Sequence, residues 1–185
     1  MASTSTTGSR LETEDSNAFE EIAPPSACSS ATVPGPWDIF INHRGPDVKV
    51  TLARAIYNAL HAMGFRVFLD SEELQLGNFL PEALQEAMLG ASLHVAIFSP
   101  GYAQSPWCLA ELSFMLKSGK PIIPVFYCVE PTDLRGVAQG KGVYVNAFLE
   151  HEGKSRYSFK KIEEWKMALH KASLKEGEII KNDKK

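Results

Sequence analysis

A tryptophan and a glutamate, Trp107 and Glu111, are the residues of this chain whose types and spacing best suit chemistry. Residues four apart lie on one face of an α-helix, so both side chains can face a single cleft. Ser105 is a favourable N-cap and Pro106 a favourable first helical residue, and together they predict that a helix begins just before the pair. An indole ring above a lone carboxylate suits a reaction on a flat, charged heteroaromatic ring.

The same pair also has an ordinary structural explanation. Trp107 could pack in the core, and Glu111 could be a solvated residue on the outer face of its helix. Two residues alone do not distinguish a catalytic cleft from a plain amphipathic helix. The choice between the two explanations therefore depends on the secondary-structure elements that would position the pair.

Composition limits the classes of protein to consider. The chain has 185 residues, enough for one well-buried domain plus a tail, and its hydrophobic fraction of 44% is ordinary for a globular protein. The net charge of -3 gives no electrostatic footprint for nucleic acid, and no apolar run approaches the roughly 20 residues of a membrane span. Cys28, Cys108 and Cys128 form neither a metal-ligand pattern nor a disulfide framework. We therefore predict no metal, no membrane or nucleic-acid partner, and a cytoplasmic location with nuclear entry left open.

Short apolar runs alternate with helical stripes from Trp37 onward, which is typical of a parallel sheet covered on both faces. The predicted strands are 38–42, 65–69, 93–99 and 122–127, with a short fifth strand at 178–180. The intervening helices carry apolar stripes at Leu52, Ile56, Leu60 and Met63, at Leu80, Leu84, Ala87 and Met88, and at Cys108, Leu112, Met115 and Leu116.

Less regular segments complete the predicted organisation. Pro124 lies inside the fourth apolar run and places that strand towards an edge of the sheet. Residues 130–142 resemble a loop, and helices are predicted at 144–151 and 159–174. We predict a disordered tail at 1–36, a folded domain at 37–180 and a short tail at 181–185.

This alternation predicts a doubly wound α/β fold, and the flavodoxin-like strand order 2-1-3-4-5 is one of its two common forms. In that order, ligands bind outside the carboxyl ends of the first and third strands. Here those ends run from Asn42 to Gly45 and from Ser99 to Gly101. The loop after Ser99 leads into the helix of Trp107 and Glu111, so topology and motif indicate the same cleft.

Four blocks in this order resemble a Toll/interleukin-1 receptor (TIR) domain of the plant type. They are WDIFINHRGPD from Trp37, FLDSEEL from Phe68 with Gly77, SPWCLAEL from Ser105 with Tyr102 before it, and VFY from Val125 with Pro131 and Arg135. The resemblance implies a five-stranded parallel sheet in the flavodoxin-like order 2-1-3-4-5. No GxxxxGKS/T motif and no internal repeat occurs, so we expect a TIR domain without the ATPase and repeat modules of the family's receptors.

The resemblance further implies an enzyme that cleaves NAD+ between nicotinamide and ribose, with NAD+ as substrate and no cofactor. Glu111 matches the family's catalytic glutamate, Trp107 the aromatic residue one turn before it, and Arg44 a position implicated in nucleotide binding. The remaining predicted substrate-binding residues are His43, Gly45, Asp70 and Ser99. Because nicotinamide leaves a pyridinium as a neutral molecule, one carboxylate suffices without a second acid.

Several alternatives stay open at this point. Arg44 could pair with Asp47, His43 could pack in its loop, and Asp70 could only start a turn. The family's SFRGED motif appears here as NHRGPD, which favours a second hypothesis, a non-catalytic scaffold that recruits other TIR proteins. Under the first hypothesis, the products are nicotinamide and ADP-ribose or cyclic ADP-ribose-type nucleotides that act in plant immune and cell-death signalling. The resemblance then implies activation by self-association through the BB loop, from Asp70 to Asn78.

Overall fold

The computed structural model describes residues 37–69, 81–154 and 156–181. The predicted tail 1–36, Leu80 of the second stripe and the segment from Asp70 to Asn78 lie outside the described residues.

A five-stranded parallel sheet forms the centre of the molecule, in the order β2-β1-β3-β4-β5. The strands are β1 Ile39–His43, β2 Val67–Leu69, β3 Leu93–Phe98, β4 Ile122–Tyr127 and β5 Glu178–Ile180. They are rich in β-branched and aromatic residues, and the central ones are buried on both faces, as expected for parallel strands covered by helices. The predicted fold class and strand order are confirmed.

Helices cover both faces of this sheet. They are α1 Gly45–Val48, α2 Arg54–Ala62, α3 Glu82–Gly90, α4 Pro106–Lys117, α5 Pro131–Gly136, α6 Val145–Gly153 and α7 Phe159–Ser173. A π-helical turn, Lys49–Ala53, leads into α2, and a 3-10 turn, Tyr102–Gln104, comes before α4. Within the parts of the chain described above, no helix is long and apolar enough to cross a membrane.

Two apolar cores lie on opposite sides of the sheet, because successive residues of a strand face opposite sides. Phe40 and Phe98 belong to the larger core, which α3, α4 and α7 close, and Trp165 is its largest fully buried side chain. Ile41 and Ile97 belong to the smaller core beneath α2. Asn42 follows the parity of Phe40, so its side chain is directed towards the α4 side of the sheet.

Two predictions about individual segments were wrong or incomplete. The predicted loop at 130–142 contains α5, which is stabilised by a capping box between Glu130 and Asp133 and by Pro131 in its first turn. Met63 ends the first predicted stripe, yet it lies just past α2 with 73% of its surface exposed.

β4 lies towards an edge of the sheet, as Pro124 predicts, although it is not the edge strand itself. β4 lies between β3 and the edge strand β5, which pairs with it only from Val125 to Tyr127. Pro124, which has no N–H, therefore comes just before the residues that pair with β5. The missing N–H leaves no acceptor of β5 without a donor. Gly177 passes so close that an added Cβ would lie 2.1 Å from the Pro124 carbonyl oxygen.

Candidate functional site

The candidate site lies where β1 and β3 end and α4 begins. Ser105 accepts a hydrogen bond from the Cys108 N–H and Pro106 occupies the first turn, so the predicted helix start is confirmed. Trp107 is half-buried in that first turn, and Glu111 follows one turn later with 7% of its surface exposed. Glu111 is therefore a buried carboxylate and not the solvated helix residue of the alternative reading.

A hydrogen bond from β1 meets this carboxylate. The side-chain N–H of Asn42 donates to Glu111 Oε2 at 2.7 Å, and the Tyr102 hydroxyl donates to Asn42 Oδ1 at 2.5 Å. Asn42 and Tyr102 are both fully buried. Burial, helped by neighbouring Cys108 and Glu111, raises the pKa of Tyr102 well above its usual value, so its hydroxyl keeps its proton and remains a donor.

A second polar cluster is centred on Asp47, in α1. Its carboxylate pairs with the Arg44 guanidinium through Oδ1. Its other oxygen, Oδ2, accepts from the Ser99 hydroxyl at 2.5 Å and from the Gly101 N–H at 3.1 Å. The structure thus contains the Arg44–Asp47 ion pair that the sequence left as an alternative. Asp47 ties the loop after β1 to the loop after β3.

Ser99 and Gly101 are both constrained by this cluster. Ser99 is fully buried, and besides its hydroxyl contact its carbonyl oxygen accepts from the Tyr144 hydroxyl at 2.8 Å. At Gly101, an added Cβ would lie 2.7 Å from Asp47 Oδ2 and 2.8 Å from Arg44 Nη1. A side chain at this position would push directly against the ion pair.

The two clusters adjoin at Cys108. Its thiol lies 3.4 Å from the His43 carbonyl oxygen and within electrostatic range of Glu111, Arg44 and Asp47. Burial, with a further contribution from Glu111, raises the pKa of this thiol, so it stays neutral and is a poor nucleophile.

The remaining predicted residues have separate positions. His43 is half-buried at the last position of β1, and Gly45 is the half-buried first residue of α1. Asp70 lies outside the described residues. No group of three or more His, Cys, Asp or Glu side chains within 37–69, 81–154 and 156–181 could hold a metal ion.

Three residues of the site, Asn42, Tyr102 and Asp47, were not among the predicted site residues. A signal for Asn42 did exist: it is the last residue of the predicted strand 38–42, at the predicted switch point, with the same parity as the core residue Phe40. The sequence raised the pairing of Asp47 with Arg44, but not the contacts of Asp47 with Ser99 and Gly101 or that of Tyr102 with Asn42, since these depend on how the loops fold together.

A doubly wound parallel sheet with polar groups gathered at its switch point is the architecture of a ligand-binding α/β domain. The TIR domain family model matches residues 36–185, and the chain belongs to this family.

Several relatives of this chain are plant proteins. It is 45% identical over 98 residues to a probable 2' cyclic ADP-D-ribose synthase, BdTIR, of Brachypodium distachyon, an alignment that covers 53% of this chain and 44% of that protein. It is 31% identical over 162 residues to TMV resistance protein N of Nicotiana glutinosa, which covers 85% of this chain and 14% of that protein. The chain thus spans less than half the length of either relative.

A solved structure is also similar. The TIR domains of the activated Roq1 resistosome, which directly recognizes the pathogen effector XopQ, match with a TM-score of 0.67 and 31% sequence identity. The match covers 77% of this chain and 87% of that one.

Proposed function

We propose that this chain cleaves NAD+ at the bond between nicotinamide and ribose. The observation that carries the proposal is the buried carboxylate of Glu111, which lies where β1 and β3 end in a TIR domain. The similarity to a protein named as a probable cyclic ADP-ribose synthase supports it.

The cleavage reaction needs few functional groups from the protein. The nicotinamide of NAD+ departs as a neutral molecule, so the protein needs no general acid for the leaving group. The Glu111 carboxylate would orient the ribose hydroxyls and stabilise the positive charge that develops on the ribose in the transition state. Trp107 would stack on a ring of the substrate from one turn earlier on the same helix. Water that adds to the ribosyl cation and loses a proton would give ADP-ribose, and capture by a nitrogen or hydroxyl of the same nucleotide would give a cyclic ADP-ribose-type nucleotide; nicotinamide is the other product in both cases.

Arg44 can bind the diphosphate without first losing Asp47. A guanidinium has five N–H donors, so one side can remain on the carboxylate while another meets a phosphate oxygen. Ser99 and Gly101 would hold Asp47 in place during that exchange. His43, Gly45 and Asp70 remain predicted substrate contacts, whereas Ser99, with both polar groups engaged, would act by positioning the loop.

Self-association is the second part of the proposal. By similarity to the resistosome TIR domains and to resistance protein N, several copies would assemble through the segment from Asp70 to Asn78, and other TIR proteins are further candidate partners. The activity would then serve plant defence and cell-death signalling in the cytoplasm. Activity is expected to rise faster than protein concentration.

Nicotinamide release by the purified protein tests the proposal. The wild type would be compared with Glu111→Ala across a concentration series, with the nucleotide products separated. Glu86→Ala, which truncates an exposed glutamate of α3, is the matched control. We expect the Glu111 variant to lose about 10²-fold or more in rate and the control to keep it. Equal rates in wild type and Glu111→Ala would remove Glu111 from the proposed role.

The alternative is a non-catalytic TIR scaffold. The ion pair between Arg44 and Asp47 favours it, because the cation proposed to bind the nucleotide already has an internal partner. Absence of turnover by concentrated wild-type protein, together with capture of other TIR domains, would support the scaffold instead of the enzyme.

A further inference from the structure

Asn42 occupies an unusual position for a buried amide, since it links a tyrosine to a carboxylate. We infer that Asn42, held by Tyr102, is a positioning residue that fixes the orientation of Glu111 and keeps its carboxylate ionised. The inference rests on the proposed cleavage of NAD+, in which Glu111 is the reacting carboxylate. Neither Asn42 nor Tyr102 needs to touch the substrate.

The chemical types of the three groups set the direction of the hydrogen bonds. An ionised carboxylate only accepts, so the Asn42 amide must present its NH₂ to Glu111 Oε2, 2.7 Å away. Its oxygen then points away from the carboxylate and needs a donor, which the Tyr102 hydroxyl supplies at 2.5 Å. If the amide were flipped, two oxygens would face each other at Glu111, so the ionised carboxylate selects the orientation that presents the NH₂. The Tyr102 hydroxyl supports this orientation by donating to Asn42 Oδ1, and the Cys108 carbonyl oxygen, 3.0 Å away, is its other acceptor.

This donor matters because Glu111 is buried. Removal from water disfavours the charged form of a carboxylate, and a hydrogen bond donated to the charged form favours it. Cleavage requires that charge, since the neutral acid would stabilise the ribosyl cation far less. Asn42 thus supplies part of what the solvent would otherwise supply, from the fixed end of a strand.

The titratable and charged groups around Glu111 come from β1, from the loop and α1 that follow it, from the 3-10 turn and from α4. Tyr102 precedes α4, Cys108 lies on α4, and both remain neutral because burial raises the pKa of each. The Arg44–Asp47 pair, in the loop after β1 and in α1, lies within electrostatic range of Cys108. His43 follows Asn42 at the end of β1.

Substitutions of equal size separate positioning from packing. Asn42→Asp keeps the shape but replaces the donor with a second carboxylate oxygen, and Tyr102→Phe removes only the hydroxyl. Two control variants make the same chemical changes away from the site. They are Asn146→Asp, at an exposed position of α6, and Tyr57→Phe, at a half-buried position of α2. Circular dichroism and thermal unfolding verify that each variant folds.

Steady-state NAD+ cleavage as a function of pH is the first readout. We expect Asn42→Asp to lower kcat by about 10²-fold near neutral pH, with KM changed by less than about threefold, because charge and orientation act on the transition state. The acidic limb of its pH–rate profile should move up by about one to two pH units, as for two carboxylates that share a site. Tyr102→Phe should lower kcat by about threefold to tenfold, and both controls should leave rate and profile unchanged.

A second readout does not depend on turnover. Carbon-13 NMR titration of side-chain carboxyl groups, with Glu111→Gln to assign the signal, measures the pKa of Glu111 directly. The pKa should rise in Asn42→Asp and, by less, in Tyr102→Phe. An unchanged pKa in both variants would overturn the inference, whether or not the wild type cleaves NAD+.

The outcomes distinguish the two proposals. The wild type could be active and depend on Glu111, while Asn42→Asp and Tyr102→Phe keep its kcat and the acidic limb of its pH–rate profile. That result would leave the proposed function intact and overturn the positioning role. An inactive wild type would contradict the proposed function, and the NMR titration would still decide the inference. If Asn42→Asp fails to fold, Tyr102→Phe, which adds no charge and keeps the ring, decides it by the same measurements.

Discussion

The two polar clusters at the carboxyl edge of the sheet differ in burial and in what they hold. The glutamate cluster, made of Asn42, Tyr102 and Glu111, is almost fully enclosed, with 0%, 0% and 7% of each residue exposed. The arginine cluster is partly exposed, and the side chains of Arg44 and Asp47 are 23% and 18% exposed. The glutamate cluster is built from β1, the 3-10 turn and α4, and the arginine cluster from α1 and the loops that follow β1 and β3.

Under the proposed function, this difference assigns the two clusters different tasks. A buried carboxylate held by strand and helix can act on a developing charge without reorganising, which is the condition for strong transition-state stabilisation. A partly solvated guanidinium can exchange water for phosphate at small cost, which suits ground-state binding. The comparison therefore predicts that damage to the glutamate cluster lowers kcat and that damage to the arginine cluster raises KM.

The largest expected effect comes from Glu111→Gln. The variant keeps the size of the side chain and removes only its charge, so kcat should fall by about 10²–10³-fold, equivalent to about 3–4 kcal/mol. Stability should not fall, because a neutral amide costs less to bury than a carboxylate. Nicotinamide release and thermal unfolding of the same preparation measure both quantities. A large loss of stability with little change in kcat would make Glu111 structural.

The next effect concerns Asp47→Ala, which removes the partner of Arg44 and the acceptor for Ser99 and Gly101. We expect KM for NAD+ to rise about tenfold while kcat changes less than about threefold. The lost contacts would bind the substrate and the transition state equally, so their loss weakens binding without slowing the chemical step. Asp38→Ala is a matched control, because Asp38 also pairs with an arginine, Arg66, but at the opposite end of β1. A kcat loss in Asp47→Ala at unchanged KM would contradict the division of tasks.

A smaller effect is expected from Gly101→Ala. The added methyl group would meet Asp47 and Arg44 below 3 Å, so the ion pair has to shift by several tenths of an ångström. KM should rise about threefold to fivefold, in the same direction as in Asp47→Ala and by less. Gly153→Ala, at the end of α6 with nothing within 4 Å of the new atom, controls for loss of glycine itself. Equal KM values for the two variants would show that the loop tolerates the methyl group.

The fold was predictable because its signals are local and repeated. Buried apolar runs, the spacing of stripes and the Ser105–Pro106 helix start all depend on residues close in sequence. The candidate cleft was predictable from the same signals, since the carboxyl ends of β1 and β3 must meet at a switch point. The short helix α5 was missed because its capping box spans only a few residues within a segment rich in loop-forming residues.

The partners inside the site were not predictable in the same way. The hydrogen bond from Asn42 to Glu111 joins residues 69 positions apart, and Ser99 meets Asp47 across 52 positions. Such pairs depend on side-chain directions that packing alone fixes. The Arg44–Asp47 pair is the exception that supports the explanation, because its members lie three residues apart and the sequence did raise it.

The smallest expected effect concerns the acid stability of the scaffold behind the glutamate cluster. His151 Nε2 lies 2.8 Å from the carbonyl oxygen of Ala103, which is next to Tyr102 in the same turn. His94 Nε2 lies 2.9 Å from the carbonyl oxygen of Met88. Burial lowers the pKa of both histidines; nearby Lys154 and Lys120 act in the same direction, and Glu150 opposes it at His151. Folded protein therefore binds fewer protons than unfolded protein just below the usual histidine pKa of about 6.5.

From this sign, the free energy of unfolding should be constant with respect to these histidines above about pH 6.5 and should fall as the pH drops towards their lowered pKa values. Urea unfolding at a series of pH values measures the slope. His151→Gln, which keeps a donor for Ala103 and cannot be protonated, should reduce the slope, and the exposed-helix variant His61→Gln should not. The kcat of the wild type and of His151→Gln can be compared over the same acidic range. A reversible fall in kcat that is smaller in His151→Gln would show that protonation of His151 affects the glutamate cluster through the turn that contains Tyr102. An identical slope in all three proteins would assign the acid sensitivity to other groups.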